Sequence, residues 1–224
     1  MAFTKELRTE LVSLLGEDWV KDDPVTLYTY RCDGLTLYTA PPMGVVFPGN
    51  RNELVEVVKK LHSRKIPFVP RGAGTGLSGG AVPREQSVII EMARFKEIHD
   101  IDWLNRTITV GPGVINLRIS EKVQPDGYHY VPDPSSQKAC TIGGNVAENS
   151  GGPHTLKYGV TVNHVLGLEM VLPDGEVVEL GGKTFPIAGP DMLALVIGSE
   201  GTFGIVTKIT CRLTPVSYTH LTLP

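Results

Sequence analysis

Pro70-Arg71-Gly72-Ala73-Gly74-Thr75-Gly76-Leu77-Ser78-Gly79-Gly80 follows directly on the short apolar run Ile66-Pro67-Phe68-Val69, and no other stretch of the chain so plainly requires a partner. Glycine loses more conformational freedom on folding than any other residue. Five glycines between positions 72 and 80 therefore make sense where the backbone must turn sharply or lie against something that leaves no room for Cβ atoms. A diphosphate fits that description, because successive backbone N–H groups form a concave anion site and the missing side chains let phosphate oxygens reach them. A plain flexible turn is the alternative reading.

Gly74, Gly76 and Gly79 also satisfy G-x-G-x-x-G behind a strand-like run, which is the pattern of a nicotinamide-binding unit. That unit needs a helix to open at the loop. Here Pro83 arrives four residues after Gly79, and the β-branched run Ser87-Val88-Ile89-Ile90-Glu91 follows almost at once. A parallel crossover takes on the order of a dozen residues, usually helical. The gap from Gly80 to Gln86 is too short for one and too poor in helix formers, so the loop is read as joining two strands directly.

Upstream of the loop, Gly44-Val45-Val46-Phe47 reads as a strand closed by Pro48-Gly49. Asn50 or Asn52 can cap a following helix in which Leu54, Val57, Val58 and Leu61 recur at helical spacing. With Ile66 to Val69 as a second strand, these make one parallel βαβ unit, and Ser87 to Met92 supplies a third strand. Residues 4–15 carry Leu7, Leu11, Leu14 and Leu15 on one helical face, a docking helix. From Val20 to Thr39 the pattern breaks at Asp22-Asp23-Pro24 into an irregular arm bearing Tyr28, Tyr30 and Tyr38. Those rings either pack on the main body or line a pocket for a planar cofactor.

After Asp100 the texture changes to short β-rich pieces. Arg106 to Val110 is a strand, Gly111-Pro112-Gly113 a turn, and Val114 to Lys122 a helix ended by Gln124 to Gly127. Val165 to Leu172 and Glu176 to Leu180 flank Pro173-Asp174-Gly175, a strong hairpin signal. A short helix from Pro190 to Ile197 leads through Gly198-Ser199-Glu200-Gly201-Thr202 into a strand from Phe203 to Leu213. The expected fold class is α+β, with a small βαβ-like subdomain and a larger, mostly antiparallel one with flanking helices.

The 224 residues can bury a full core. A net charge of −3 argues against a nucleic-acid partner, which requires a basic face. Cys32, Cys140 and Cys211 are far apart and include no C-x-x-C pair, which favours reduced thiols over disulfides, zinc or an iron–sulfur cluster. The charged start lacks the apolar centre of a signal peptide. No apolar run approaches the roughly 20 residues of a membrane helix. A soluble, cytoplasmic chain is expected.

The second informative stretch runs from Pro132-Asp133-Pro134-Ser135-Ser136 through Thr141-Ile142-Gly143-Gly144-Asn145 to Asn149-Ser150-Gly151-Gly152-Pro153-His154. Small and amide-bearing residues dominate it, which is poor material for a core and suits a surface following a polar ligand. If Thr141 caps a short helix, free N–H groups beside it favour negative charge by roughly 0.3–1 kcal/mol. Two such regions imply a cofactor longer than one phosphate group.

Three stretches in this order, Pro70 to Gly76, Pro132 to Pro153 and Gly198 to Thr207, resemble the cofactor-contacting segments of FAD-linked oxidases. The fold implied is that shared by vanillyl-alcohol oxidase and p-cresol methylhydroxylase, over residues 42–215. Asn149 to His154 with Lys157-Tyr158-Gly159 resemble most the glycolate oxidase D-subunit branch, with D-lactate dehydrogenases next. The resemblance implies that Arg71, Gly72, Ala73, Gly74, Thr75 and Gly76 hold the pyrophosphate, with Pro70 among the cofactor-binding residues. It implies that Asp133, Pro134, Ser135, Thr141, Gly143, Gly144, Asn145, Ser150 and Gly151 flank flavin and diphosphate, while Glu200, Gly204 and Ile205 line the cofactor. Some relatives attach flavin covalently through a histidine in the first glycine loop. This chain has Thr75 there, so a noncovalent FAD is expected, with His154 as an alternative anchor.

The implied activity is oxidation of a small 2-hydroxy acid, glycolate or D-lactate, to the 2-oxo acid. The alternative is a flavin-binding module without turnover. Expected partners are iron–sulfur and second flavin subunits of a glycolate oxidase-like complex, which would place the protein at the inner membrane periphery. The implied organisation is an arm at 1–41, an FAD-binding domain at 42–215 with subdomains parting near residue 100, and a substrate domain that is absent together with its catalytic groups. Residues 216–224 do not continue the family pattern, and their back-translation resembles a sequencing-library adaptor, so a non-native tail is expected.

Overall fold

The computed structural model describes residues 3–183 and 189–216. Its first sheet contains β1 (Val20–Lys21), β2 (Gly44–Val46), β3 (Phe68–Arg71) and β4 (Val88–Glu91), in the order β1-β2-β4-β3. Helix α1 (Lys5–Leu15) starts where the Thr4 hydroxyl accepts the Leu7 N–H. The short helix α2 (Pro24–Thr29) lies between β1 and β2, and α3 (Arg51–Ser63) between β2 and β3. In α3 the Asn50 side chain accepts the Glu53 N–H, and Leu54, Val57, Val58 and Leu61 are fully buried. They pack with Leu7 and Leu11 of α1 and with Val46, Val88 and Ile90 of the sheet.

The second sheet has the order β5-β6-β10-β8-β9, antiparallel throughout. Its strands are β5 (Ile98–Asp102), β6 (Thr107–Val110), β8 (Val165–Val171), β9 (Val177–Gly181) and β10 (Ile205–Arg212). A separate pair joins β7 (Tyr128–His129) to β11 (Thr214–Pro215). Helices α4 (Asn116–Val123), α5 (Ile142–Glu148), α6 (Thr155–Tyr158) and α7 (Met192–Val196) complete this half. Ile108, Ile119, Ile142, Met170 and Ile209 form its core. The architecture is α+β, as the sequence pattern predicts.

The glycine loop differs from expectation in one respect. It does join β3 to β4 without a helix, but the strands are parallel, with Val69 opposite Ile89. The crossover spans residues 72–87, long enough when counted from the strand end rather than from the last glycine. The strands flanking α3 both pair with β4, which lies between them, so the βαβ unit is split by its third strand.

Strand β3 also starts two residues later than its apolar pattern indicates. Lys65, at φ 54°, donates to His62 O at 2.9 Å, and Ile66 donates to Leu61 O at 3.0 Å. This pair of bonds closes α3 as a Schellman motif, so Ile66 ends a helix instead of opening a strand. The arm is less irregular than its composition suggests. Asp23 accepts the Thr26 N–H at 2.9 Å with Pro24 in the first turn, the arrangement that proline favours at a helix start. Strand β5 begins at Ile98, ahead of the texture change after Asp100; its first three residues are exposed and give no alternating burial signal. Val216 donates to Gly127 O at 2.8 Å. Residues 217–224, the rest of the expected tail, lie outside the described residues.

The halves are joined through both packing and charge. Val171 and Ile205 of the second sheet belong to the first core. The Glu169 carboxylate, 5% exposed, accepts from Thr207 at 2.8 Å, Lys208 at 3.0 Å and Arg51 of α3 at 3.2 Å. Those partners hold its pKa below the usual carboxylate range against the opposing effect of burial. Leu61→Ala, in the fully buried face of α3, is expected to lower unfolding free energy by about 2–5 kcal/mol, checked by urea denaturation.

Candidate functional site

The two halves meet at a cavity of about 450 Å³. From the first stretch Pro70, Arg71, Gly72, Ala73, Gly74, Thr75 and Gly76 line it. From the second come Ser135, Thr141, Gly143, Gly144, Asn145 and Ser150, and from the third Glu200, Gly204 and Ile205. Asp133, Pro134 and Gly151 are not among the lining residues. Asp133 turns instead to the 152–154 turn, where its carboxylate lies 2.6 Å from His154 Nδ1. At Gly151 a Cβ would meet Thr155 Oγ1 at 2.6 Å. Neither Tyr28, Tyr30 nor Tyr38 of the arm lines the cavity. Tyr30 packs edge-on against Phe47, and Tyr28 and Tyr38 are exposed.

Several glycines here are required by internal contact. A Cβ on Gly72 would collide with the Thr141 hydroxyl, and one on Gly74 with the Arg71 guanidinium. On Gly201, at φ 74°, it would lie 2.6 Å from Pro70 Cγ. Glycine thus lets the three stretches approach one another. Gly144 differs, since a Cβ there meets only Thr141 Oγ1, at 3.5 Å. The cradle at Gly144 is therefore open toward the cavity.

Thr141 does cap α5, its hydroxyl accepting the Gly144 N–H at 3.3 Å. The neighbouring donors are nevertheless not free, contrary to the expectation from sequence. Ile142 donates to Val114 O at 2.8 Å and Gly143 to Pro112 O at 2.9 Å, because the Gly111-Pro112-Gly113 turn packs its carbonyls against the helix start. Open donors lie in the glycine loop instead. No hydrogen bond among the described residues uses the backbone N–H of Ala73, Gly74, Thr75, Gly76 or Leu77. Arg71, 8% exposed, donates to Ala81 O at 2.7 Å and so supports the loop from beneath.

Acidic groups gather at the other bend of the loop. A Cβ on Gly80 would lie 2.8 Å from Glu148 Oε1 and 3.0 Å from Glu200 Oε2. Burial raises the Glu148 pKa, with the charges of Glu200 and Asp33 adding to it and a Ser78 hydrogen bond opposing. Sequence reasoning missed Glu148 and Cys140, although both lie inside the second stretch, and missed Pro112, which it read only as part of a turn. Glu91, opposite Arg71 in the β3–β4 register, is 4% exposed. Burial pushes its carboxyl up to about 8, against the lowering influence of Arg71.

The family described as FAD binding domain matches residues 42–181. The chain belongs to this family. Its cofactor is FAD, and the open loop donors and the Gly144 cradle suit a diphosphate-bearing ligand. The chain is 50% identical over 186 residues to the glycolate oxidase subunit GlcD of Escherichia coli strain K12, covering 83% of this chain and 37% of that protein. It is 41% identical over 221 residues to GlcD of Bacillus subtilis strain 168, covering 98% and 47%. With a D-lactate dehydrogenase of Archaeoglobus fulgidus it shares 39% identity over 191 residues, covering 83% and 43%. The chain thus spans less than half the length of these curated relatives. A solved alkyldihydroxyacetonephosphate synthase superposes with a TM-score of 0.84 at 24% identity, over 95% of this chain and 40% of that one. That likeness concerns the fold.

Gly144→Ala is expected to keep or raise the stability of the FAD-free chain, by up to about 1 kcal/mol, since alanine favours a helix over glycine. The same variant should weaken FAD binding, because the added methyl enters the cavity. Thermal melts with and without FAD check both. Glu91 is protonated in the folded chain and ionised in the unfolded one between about pH 4.5 and 8, so the native state binds more protons across that window. Stability should therefore fall as pH rises through it, by about 1.4 kcal/mol per pH unit at the steepest. Glu91→Gln should flatten that slope, as read by urea midpoints at about pH 5 and about pH 8.

Proposed function

We propose that the whole protein oxidises a small 2-hydroxy acid, glycolate or D-lactate, to the 2-oxo acid, and that this chain carries its FAD-binding part. The observation that carries the reading is the convergence of the three motif stretches on one cavity with an open row of backbone donors. The names of the related proteins from Escherichia coli, Bacillus subtilis and Archaeoglobus fulgidus support the substrate class. When bound, FAD supplies an acceptor for the hydrogen and electron pair that leave the alcohol carbon. In this reading residues 42–215 are the FAD-binding domain, parting near residue 100 into two subdomains, with 1–41 as its arm.

The loop N–H groups from Ala73 to Leu77 take the diphosphate, held in place by the Arg71–Ala81 bond. Donors fixed before the ligand arrives need no reorganisation on binding. Thr141, Gly143, Gly144 and Asn145 form the opposite wall, and Glu200, Gly204 and Ile205 close the cavity. The base that takes the hydroxyl proton belongs to the remainder of the protein. FAD is held noncovalently: Thr75 offers no imidazole, and the His154 ring, engaged with Asp133 at 2.6 Å, is not among the cavity-lining residues.

By the names of their relatives, GlcD-like proteins are subunits. The partners proposed here are iron–sulfur and second flavin subunits in a cytoplasmic complex peripheral to the inner membrane. Among the described residues no helix is long and apolar enough to cross a membrane. The second reading is a flavin-binding module without turnover; the chain spans 37–47% of the length of these relatives. The test is the visible absorbance of the purified chain before and after acid precipitation. Flavin colour moving to the supernatant is expected. Colour retained in the pellet overturns the noncovalent assignment, and a colourless chain that FAD does not reconstitute overturns the site.

A further inference from the structure

The segment from Tyr30 to Ala40 forms a strap, closed by the Ala40 N–H donating to Arg31 O at 2.9 Å. Three contacts fasten it to the glycine loop. Gly34 N–H donates to Gly76 O at 3.0 Å. The Asp33 carboxylate accepts the Gly79 N–H through Oδ2 and the Leu35 N–H through Oδ1, each at 3.0 Å. The Tyr30 ring lies 5.3 Å from the centre of the Arg71 guanidinium. The fit is close: a Cβ on Gly34 would lie 2.9 Å from Thr75 O. The matched family region begins at residue 42, so the strap lies outside it.

Asp33 is 6% exposed, and burying a carboxylate is costly unless hydrogen bonds to the charged form repay it. Its two backbone donors come from the strap itself and from the far end of the glycine loop. Together with the Gly34–Gly76 bond they pin that loop at positions 76 and 79. Gly79 sits at φ 92° with nothing within 4 Å of its missing Cβ, so side-chain packing does not hold it there. The residues between Arg71 and these pins are those whose N–H groups are open.

We propose that Asp33 is a positioning residue for the cofactor: through Gly79 and Leu35 it locks the glycine loop in the conformation that aims the N–H groups of residues 73–77 at the FAD diphosphate. The inference rests on the reading that this loop takes the diphosphate. Asp33 itself touches no cofactor atom. Its charge also lies close enough to Glu148 to help raise that group's pKa.

The test compares FAD affinity, by quenching of flavin fluorescence, in the unaltered chain, Asp33→Asn, Gly34→Ala and Tyr38→Ala, together with amide hydrogen exchange of the FAD-free proteins. Asp33→Asn keeps the shape but replaces one acceptor oxygen by a donor. Gly34→Ala keeps the carboxylate and pushes the strap from Thr75. Both are expected to weaken FAD binding at least about tenfold and to speed exchange of the hydrogen-bonded amides at residues 34 and 79 at least about tenfold. Tyr38→Ala, at a 65% exposed strap position, is expected to do neither. A purely structural role predicts equal loss of melting temperature with and without FAD and an unchanged dissociation constant, which overturns the proposal. Faster exchange with unchanged affinity overturns it as well. If the unaltered chain binds no FAD, the loop reading fails, and the cofactor role of Asp33 with it.

Discussion

The contact of Gly72 with the Thr141 hydroxyl is the constraint on which the site depends. Residue 72 leaves the last strand of the first sheet, and residue 141 caps a helix packed on the second. Any side chain at 72 would drive the two apart. Thr141 at the same time holds α5 by its cap and by accepting the Asn145 N–H at 3.0 Å. The third stretch reaches the first by the same device, Gly201 against Pro70. Three stretches remote in sequence are thereby brought within backbone distance, and the space they leave is the cavity. The buried Glu169 cluster performs a complementary task on a different face, drawing α3 toward the second sheet through Arg51.

Much of this arrangement was legible because it rests on short-range chemistry. The Leu54, Val57, Val58 and Leu61 spacing and the Asn50 cap specify α3 locally, and Pro173-Asp174-Gly175 specifies its hairpin, with Gly175 at φ 92°. The parallel direction of β3 and β4 was not legible. Strand direction is set by where the sixteen residues of intervening chain, 72–87, pack, and that loop carries no helical signal. The place of β4 between β2 and β3 was hidden for the same reason. Strand β5 escaped notice because an edge strand facing solvent needs no apolar alternation.

The candidate site shows the same division. Glycine density pointed to the right segments, because close backbone approach leaves a mark in composition whatever its cause. The cause itself was not visible. Gly72 and Gly74 make room for Thr141 and Arg71 as well as for a ligand, whereas Gly144 faces the open cavity. Capping by Thr141 was readable from one residue type. The capture of the Ile142 and Gly143 donors by Val114 and Pro112 carbonyls depends on a turn almost thirty residues away, and no local pattern announces it.

This displacement of the donors changes how an anion must be held. A helix start offers converging N–H groups and the positive end of a dipole, but α5 has only seven residues and its first donors are already used. The glycine loop offers donors without a helix behind them, so their direction must come from elsewhere. Arg71 on Ala81 fixes the near side of the loop, and Asp33 and Gly34 reach the far side from the arm. An anion at this loop is consequently held by backbone whose shape is imposed by buried charged groups on either flank. The Glu148 and Glu200 carboxylates beside Gly80 bound that region on the remaining side. In the proposed reading the open donors at residues 73–77 favour negative charge in the ligand, and the Glu148 and Glu200 carboxylates oppose it beside Gly80.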